Sequence, residues 1–264
     1  MSLVLSRRAL TKYQLLFRHI FHFKHVEREL CAAWQAHQGT RGALARAGAG
    51  GRRSSSTLLA AHVASRRMLH FTQNFTHYLQ CEVVEPNWHV LERELDQATN
   101  ADELIAAHDR FLDRCMKEGM LFWPKILKRL DRIKAACLRF AAATAAFARA
   151  AEEALASARN ELRRADPDDP DDPDDPAAAK KKSRAVRHGD RRAAEVEAVE
   201  SAARRSGFAE ATASLSEAFD AQFGTLLETL NDAAHLEPNL ASLCARLDFN
   251  EYYSFGPGGK YHGA

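Results

Sequence analysis

Apolar residues recur in steps of three and four almost from the start of the chain. Tyr13, Leu16, Phe17, Ile20, Phe23, Val26, Leu30 and Trp34 fall on one face of a helix. No glycine or proline interrupts Tyr13 to Trp34, so the run predicts about six helical turns. Leu15 and Phe21 lie off that face, and an aromatic there packs on a second helix or faces a partner. A second helix is predicted from Thr57 to Glu85, with Leu58, Leu69, Phe71, Phe75, Tyr78 and Leu79 as its apolar side. Pro86 ends or kinks it, because proline has no N–H and crowds the preceding turn. Trp88, Val90, Leu91 and Leu95 resume the pattern, which predicts a bend there and not a loop.

Asn100 is placed as an N-cap with Glu103 three residues on, opening a helix to Glu118 with Gly119 as its C′ residue. Pro124 suits the first turn of the next helix. Ile126, Leu130, Ile133, Cys137, Phe140, Thr144, Phe147 and Ala151 follow it as a heptad, the spacing of a helix packed lengthwise on a neighbour. A last long helix is predicted from Arg192 to His235, striped by Phe208, Leu215, Phe219, Phe223, Leu226 and Leu230, with Gly207 as an internal weak point. Pro238 then starts a short helix ending near Arg246.

Two stretches break the pattern. Residues 38–56 hold five glycines with Arg and Ser, a linker composition. The Gly48-Ala-Gly-Gly-Arg-Arg-Ser run lacks the Gly-Lys-Ser/Thr ending and the preceding strand of a phosphate loop. Asp166 to Pro176 repeats Asp-Asp-Pro and cannot form a helix. It is followed by Lys180, Lys181, Lys182, Arg184, Arg187, Arg191 and Arg192, and residues 165–192 read together as a disordered acidic–basic loop. The expected fold is all-α: an elongated bundle of five to six helices. Its first part is 1–164 with a flexible linker at 38–56, its closing part 193–253, and 254–264 a flexible tail.

Composition narrows the function. With a net charge of +2 in 264 residues, the whole chain is no polyanion binder, which disfavours nucleic acid. Cys31, Cys81, Cys115, Cys137 and Cys244 are scattered and odd in number, so they indicate neither a zinc site nor a disulfide framework. They read as small buried residues of a reducing compartment. No apolar run reaches the ~20 residues of a membrane span, and Arg7 and Arg8 are not followed by a signal core. This points to a soluble intracellular protein. His22 and His25 are three apart on the first helix, but no carboxylate or cysteine at helical spacing completes a metal shell. No nucleophile elbow, zinc-protease motif or paired-carboxylate pattern is present, so no catalytic residue, cofactor or metal is assigned.

Several runs carry a resemblance. They are Ala9-Leu10-Thr11-Lys12-Tyr13, Leu16-Phe17-Arg18-His19, Lys24-His25-Val26-Glu27-Arg28, Arg66 to Phe71 and Asn74 to Tyr78. Further on stand Glu82-Val83-Val84-Glu85-Pro86-Asn87-Trp88 with Leu91-Glu92, then Asp102-Glu103-Leu104 with His108, Phe111 and Leu112, and Arg246-Leu247-Asp248-Phe249-Asn250 with Tyr252-Tyr253. In this order they resemble the C-terminal part of the gamma-tubulin complex components. In that family the region follows a long N-terminal portion, which this chain does not include. The resemblance implies a non-catalytic protein whose partners are gamma-tubulin and, mostly through the N-terminal portion, neighbouring complex components. It implies a place in the cytoplasm at microtubule-organising centres and spindle poles, and a role in nucleating microtubules at their minus ends. The alternative is a helical scaffold or adaptor at the spindle pole that does not hold gamma-tubulin. Among the matching positions, Phe17, Arg18, His19, Phe21, Trp88, Asp248, Phe249, Asn250 and Tyr252 combine the residue types that interfaces favour, and they are the expected gamma-tubulin contacts. Phe17 and Trp88 also suit a core.

Overall fold

The computed structural model describes residues 5–47, 52–165, 177–234, 238–249 and 251–255. Among them there is no strand. The helices are α1 (Arg7–Ala47), α2 (Arg52–His77), a π segment (Tyr78–Val84), α3 (Glu85–Gln97), α4 (Ala101–Glu118), α5 (Pro124–Ala165), α6 (Ala177–Ser206), α7 (Phe208–Ala234), α8 (Pro238–Leu247) and α9 (Tyr252–Phe255). The all-α class is as expected, with more segments than five or six.

The differences have local causes. The linker expected at 38–56 is helical on both sides of 48–51, which lie outside the described residues. Alanine and arginine around Gly39 and Gly42 supply enough propensity to carry α1 on, at about 1 kcal/mol per glycine. The basic half of the loop expected at 165–192 is likewise helical, since α6 opens at Ala177 in an alanine–lysine run; residues 166–176 are outside the described part. Gly207 is a break between two helices and not merely a weak point. Its φ of +59° suits a residue without Cβ. At Pro86 the path stays helical: α2 widens into the π segment, and Pro86 sits in the first turn of α3, where a missing N–H costs least. The Asn87 side chain donates to the Val83 carbonyl (2.8 Å) and to Glu118 Oε2 (2.6 Å), covering a carbonyl at the junction.

Asn100 caps α4 as expected, its Oδ1 accepting from the Glu103 N–H at 2.8 Å. Glu103 reaches back one residue further than the usual box and accepts from the Thr99 N–H and hydroxyl. At the other end Gly119 keeps φ −72°, and Met120 takes the left-handed position instead. Gly119 is required by space: a Cβ there would lie 2.7 Å from the Cys115 carbonyl oxygen.

The chain divides into two compact units. The first takes Met1–Arg28, Arg67–Leu138 and Glu217–Ala264; the second takes Glu29–Arg66 and Arg139–Ser216. In the first unit Phe23 of α1 stacks on Phe75 of α2 at 4.5 Å, and Phe71 meets the edges of Phe219 and Phe223 of α7 at 6.0 and 5.2 Å. Tyr78 is fully buried and donates its hydroxyl to the Glu118 carbonyl at 3.0 Å. Ile126, Leu130, Ile133 and Cys137 add the α5 heptad face. The second unit is built on Leu30, Leu58, Phe140, Val199 and many buried alanines, with Phe147 stacked on Phe208 at 4.2 Å. All five cysteines are free; Cys115 and Cys137 are buried, whereas Cys81 is exposed, against the expectation that all five are buried.

Candidate partner-binding surface

Packing fixes how α1 is rotated. Lys12 is buried, with its Nζ 2.7 Å from Asp113 and 3.5 Å from Asp109 of α4, and the Tyr13 hydroxyl lies 3.0 Å from His108 Nε2. His19, Phe23 and Val26 continue this inward face. The opposite face carries Leu10, Gln14, Phe17, Phe21, Lys24 and Arg28, all exposed and spaced alternately by four and three residues. Phe17 and Phe21 are 65% and 59% exposed and stack on one another at 5.4 Å. Arg18 is exposed beside them. Phe17 therefore leaves the core stripe on which its spacing put it. An eight-residue stripe is wider than the face that the first unit covers.

His19 goes the other way. It is 7% exposed, edge-on to Phe23 at 5.4 Å and to Phe75 at 6.2 Å, and its Nε2 has no hydrogen-bond partner. Burial, helped by the ammonium of Lys134, pushes its pKa down to about 4, so it is a neutral core residue and not a surface contact. Lys134 is itself buried, held by Asp131 at 2.8 Å, with its Nζ 5.0 Å from the centre of the Phe23 ring.

Trp88 of α3 is exposed on one side and packs edge-on against Phe111 of α4 at 6.0 Å. The remaining candidates sit at the C-terminal turn. Asp248 is buried, and its Oδ1 accepts from the Tyr253 N–H at 3.0 Å, so it holds the turn and does not face outward. Phe249 is 87% exposed and Tyr252 is also exposed. Asn250 lies outside the described residues. The structure thus brings Phe17, Arg18 and Phe21 together on α1, and Asp248, Phe249 and Tyr252 together at the turn.

Sequence reasoning missed the outward stripe as a unit. Its signal was present, because Leu10, Phe17 and Phe21 are themselves seven and four apart. It also missed the roles of Arg67 and Asp220 beneath the turn. Among the described residues no group of three His, Cys, Asp or Glu side chains could hold a metal ion, and no helix is long and apolar enough to cross a membrane.

The description "Gamma tubulin complex component C-terminal" matches residues 1–253. Gamma-tubulin complex component 2 of Arabidopsis thaliana is 45% identical over 144 residues, 54% of this chain and 20% of the relative. Gamma-tubulin complex component 2 of Mus musculus is 32% identical over 256 residues, covering 96% of this chain and 27% of the relative. The spindle pole body component alp4 of Schizosaccharomyces pombe is 34% identical over 149 residues, 56% of this chain and 19% of the relative. The chain spans about a quarter or less of the length of these relatives. Helical through its described residues and matched along nearly its whole length in this way, the chain belongs to the gamma-tubulin complex component family.

Proposed function

We propose that this chain is a gamma-tubulin-binding region of a gamma-tubulin complex component, acting in microtubule nucleation at minus ends and organising centres. The observation that carries the reading is the family match over residues 1–253. The exposed aromatics support it: Phe17, Phe21, Trp88, Phe249 and Tyr252 all belong to the first unit, where, Arg66 apart, the family-like motifs also lie. Aromatic side chains held outward on braced elements are the residue type that dominates protein interfaces. Phe17, Arg18, Phe21, Trp88, Phe249 and Tyr252 are the proposed contacts; His19 and Asp248 act beneath them.

The role is templating and not catalysis. Nucleation is slow because each first lateral tubulin contact costs association entropy, and an array that already holds gamma-tubulin in register has met that cost beforehand. Other complex components are further partners in this reading, and a centrosome or spindle-pole location follows from it.

The test is a pull-down of purified gamma-tubulin with the 264-residue chain, its helicity followed by circular dichroism. Binding by a helical chain is expected. A well-folded chain that does not retain gamma-tubulin overturns the reading and makes the chain a supporting helical scaffold.

A further inference from the structure

We infer that Asp220 is a positioning residue that locks the C-terminal turn, and that the turn presents Phe249 as an anchor for an apolar pocket of gamma-tubulin. The partner's identity rests on the function proposed above; the lock does not.

Asp220 of α7 uses both carboxylate oxygens. Oδ2 accepts from Arg67 of α2 at 2.7 Å, and Oδ1 accepts from the Tyr253 hydroxyl of α9 at 3.1 Å. One carboxylate therefore ties three helices of the first unit. The Tyr253 ring stands edge-on to Phe223, one turn along α7 from Asp220, at 4.6 Å. Its backbone N–H is taken by Asp248, whose carbonyl also accepts from the Glu251 N–H at 2.9 Å. On the near side, Arg246 of α8 pairs with Glu82 of the π segment at 2.6 Å. The turn is thus held at both ends and across its middle.

Two features make this more than ordinary packing. Glu251 takes φ +54°, a left-handed conformation that costs a non-glycine residue roughly 1 kcal/mol or more. The structure that imposes this strain does not bury Phe249, which stays 87% exposed. The turn holds Phe249 outward, and none of the described residues covers it. A strained, braced turn carrying an exposed aromatic is the arrangement of a preorganised anchor, which binds without first losing the freedom of the loop. Burial and the Asp220 carboxylate raise the Tyr253 hydroxyl's pKa.

The test uses the full chain and three variants, with hydrogen exchange at the Glu251 and Tyr253 amides and the kinetics of gamma-tubulin binding. Tyr253→Phe removes one hydroxyl, and Asp220→Asn weakens the grip on Arg67. Both are expected to speed exchange at those amides about tenfold, as local opening becomes easier. Association with gamma-tubulin should slow in proportion to the fraction of turns the variants leave open, with dissociation unchanged, because an open turn must close before it binds. Phe249→Ala should leave exchange unchanged and speed dissociation about tenfold. Unaltered exchange in Tyr253→Phe and Asp220→Asn overturns the lock, whatever gamma-tubulin does. Faster exchange combined with wild-type binding by Phe249→Ala overturns the anchor. A wild-type chain that never binds gamma-tubulin sinks the proposed partner, and the exchange measurements still decide the lock.

Discussion

The two units solve the same problem, packing helices on one another, with different residues. The first is aromatic: Phe23, Phe71, Phe75, Tyr78, Phe219 and Phe223 fill it, and more aromatics stand on its outside. The second buries more alanine, with Ala33, Ala61, Ala64, Ala148, Ala151 and Ala202 in its core beside Phe140, Phe147 and Phe208. Apart from Arg66, the family-like motifs fall in the first unit, whereas the Gly-rich stretch at 38–56 and the acidic–basic stretch at 165–192 fall in the second. Large interlocking rings constrain sequence tightly because each ring fits only its own hole. Alanine faces constrain it loosely, since many small residues fit a helix that is close already. The contrast is one of packing: interlocking rings in the first unit and small-residue faces in the second.

The largest way to break that contrast is Phe75→Ala. Phe75 is fully buried and touches Phe23, Phe71, Tyr78 and His19, so truncation leaves a cavity ringed by aromatics. A loss of about 3–5 kcal/mol in urea unfolding is expected. A loss under about 1 kcal/mol would mean the aromatic cluster is loosely packed and the contrast is only compositional.

Acid should act next, and through the first unit. His19 has an ordinary pKa near 6.5 when unfolded and about 4 when folded, facing Lys134, Asp131 and His22. Between those values the unfolded chain binds more protons. Its contribution to stability is therefore fully present above about pH 6.5 and is lost as pH falls toward 4. The expected loss from this residue is about 2 kcal/mol at pH 5, read by unfolding at several pH values. Removing the imidazole by His19→Leu should flatten the slope. An unchanged slope would assign the acid sensitivity elsewhere.

In the second unit the comparable change is Ala151→Gly on α5. Ala151 is fully buried, and the substitution removes one methyl and adds backbone freedom in a helix interior. About 1–2 kcal/mol is expected, from helix propensity and one lost methyl. A cost equal to that of Phe75→Ala would show that the alanine faces are as demanding as the rings.

Much of this was legible because helical periodicity is a local signal. The α5 heptad from Ile126 to Ala151 is buried at every position, and the starts at Asn100, Pro124 and Pro238 follow from capping and proline chemistry. The misreadings came where two local tendencies competed. At 38–47 and 52–56 glycine argued for a linker and alanine for a helix, and those described residues are helical. At Gly207 a predicted single helix is two, since a left-handed residue was available to turn the chain. For the candidate surface, periodicity showed which residues of α1 share a face but not how wide a face its neighbours cover. That width decides between Phe17 and His19, and it depends on α4 and α5, far away in sequence. The turn at Asp248 was recognised as a motif, but its bracing by Asp220 and Arg67 joins three distant helices, which no spacing encodes.

The smallest expected change in stability is also the sharpest test of the contrast within the first unit. Phe21 and Phe23 are two residues apart on one helix; one is 59% exposed and the other fully buried. Phe21→Ala deletes an exposed ring and its stack on Phe17, so unfolding should move by no more than about 0.5 kcal/mol and helicity should not change. Gamma-tubulin affinity should nevertheless fall about tenfold, as for an aromatic anchor at an interface. If instead the melting temperature drops sharply, Phe21 serves the fold and the outward stripe of α1 is not a binding face. If neither stability nor binding moves, the contact lies at Trp88 or the C-terminal turn. A ring with no effect on stability and a large effect on binding would show that the first unit spends aromatic residues on two tasks, inward for the fold and outward for a partner.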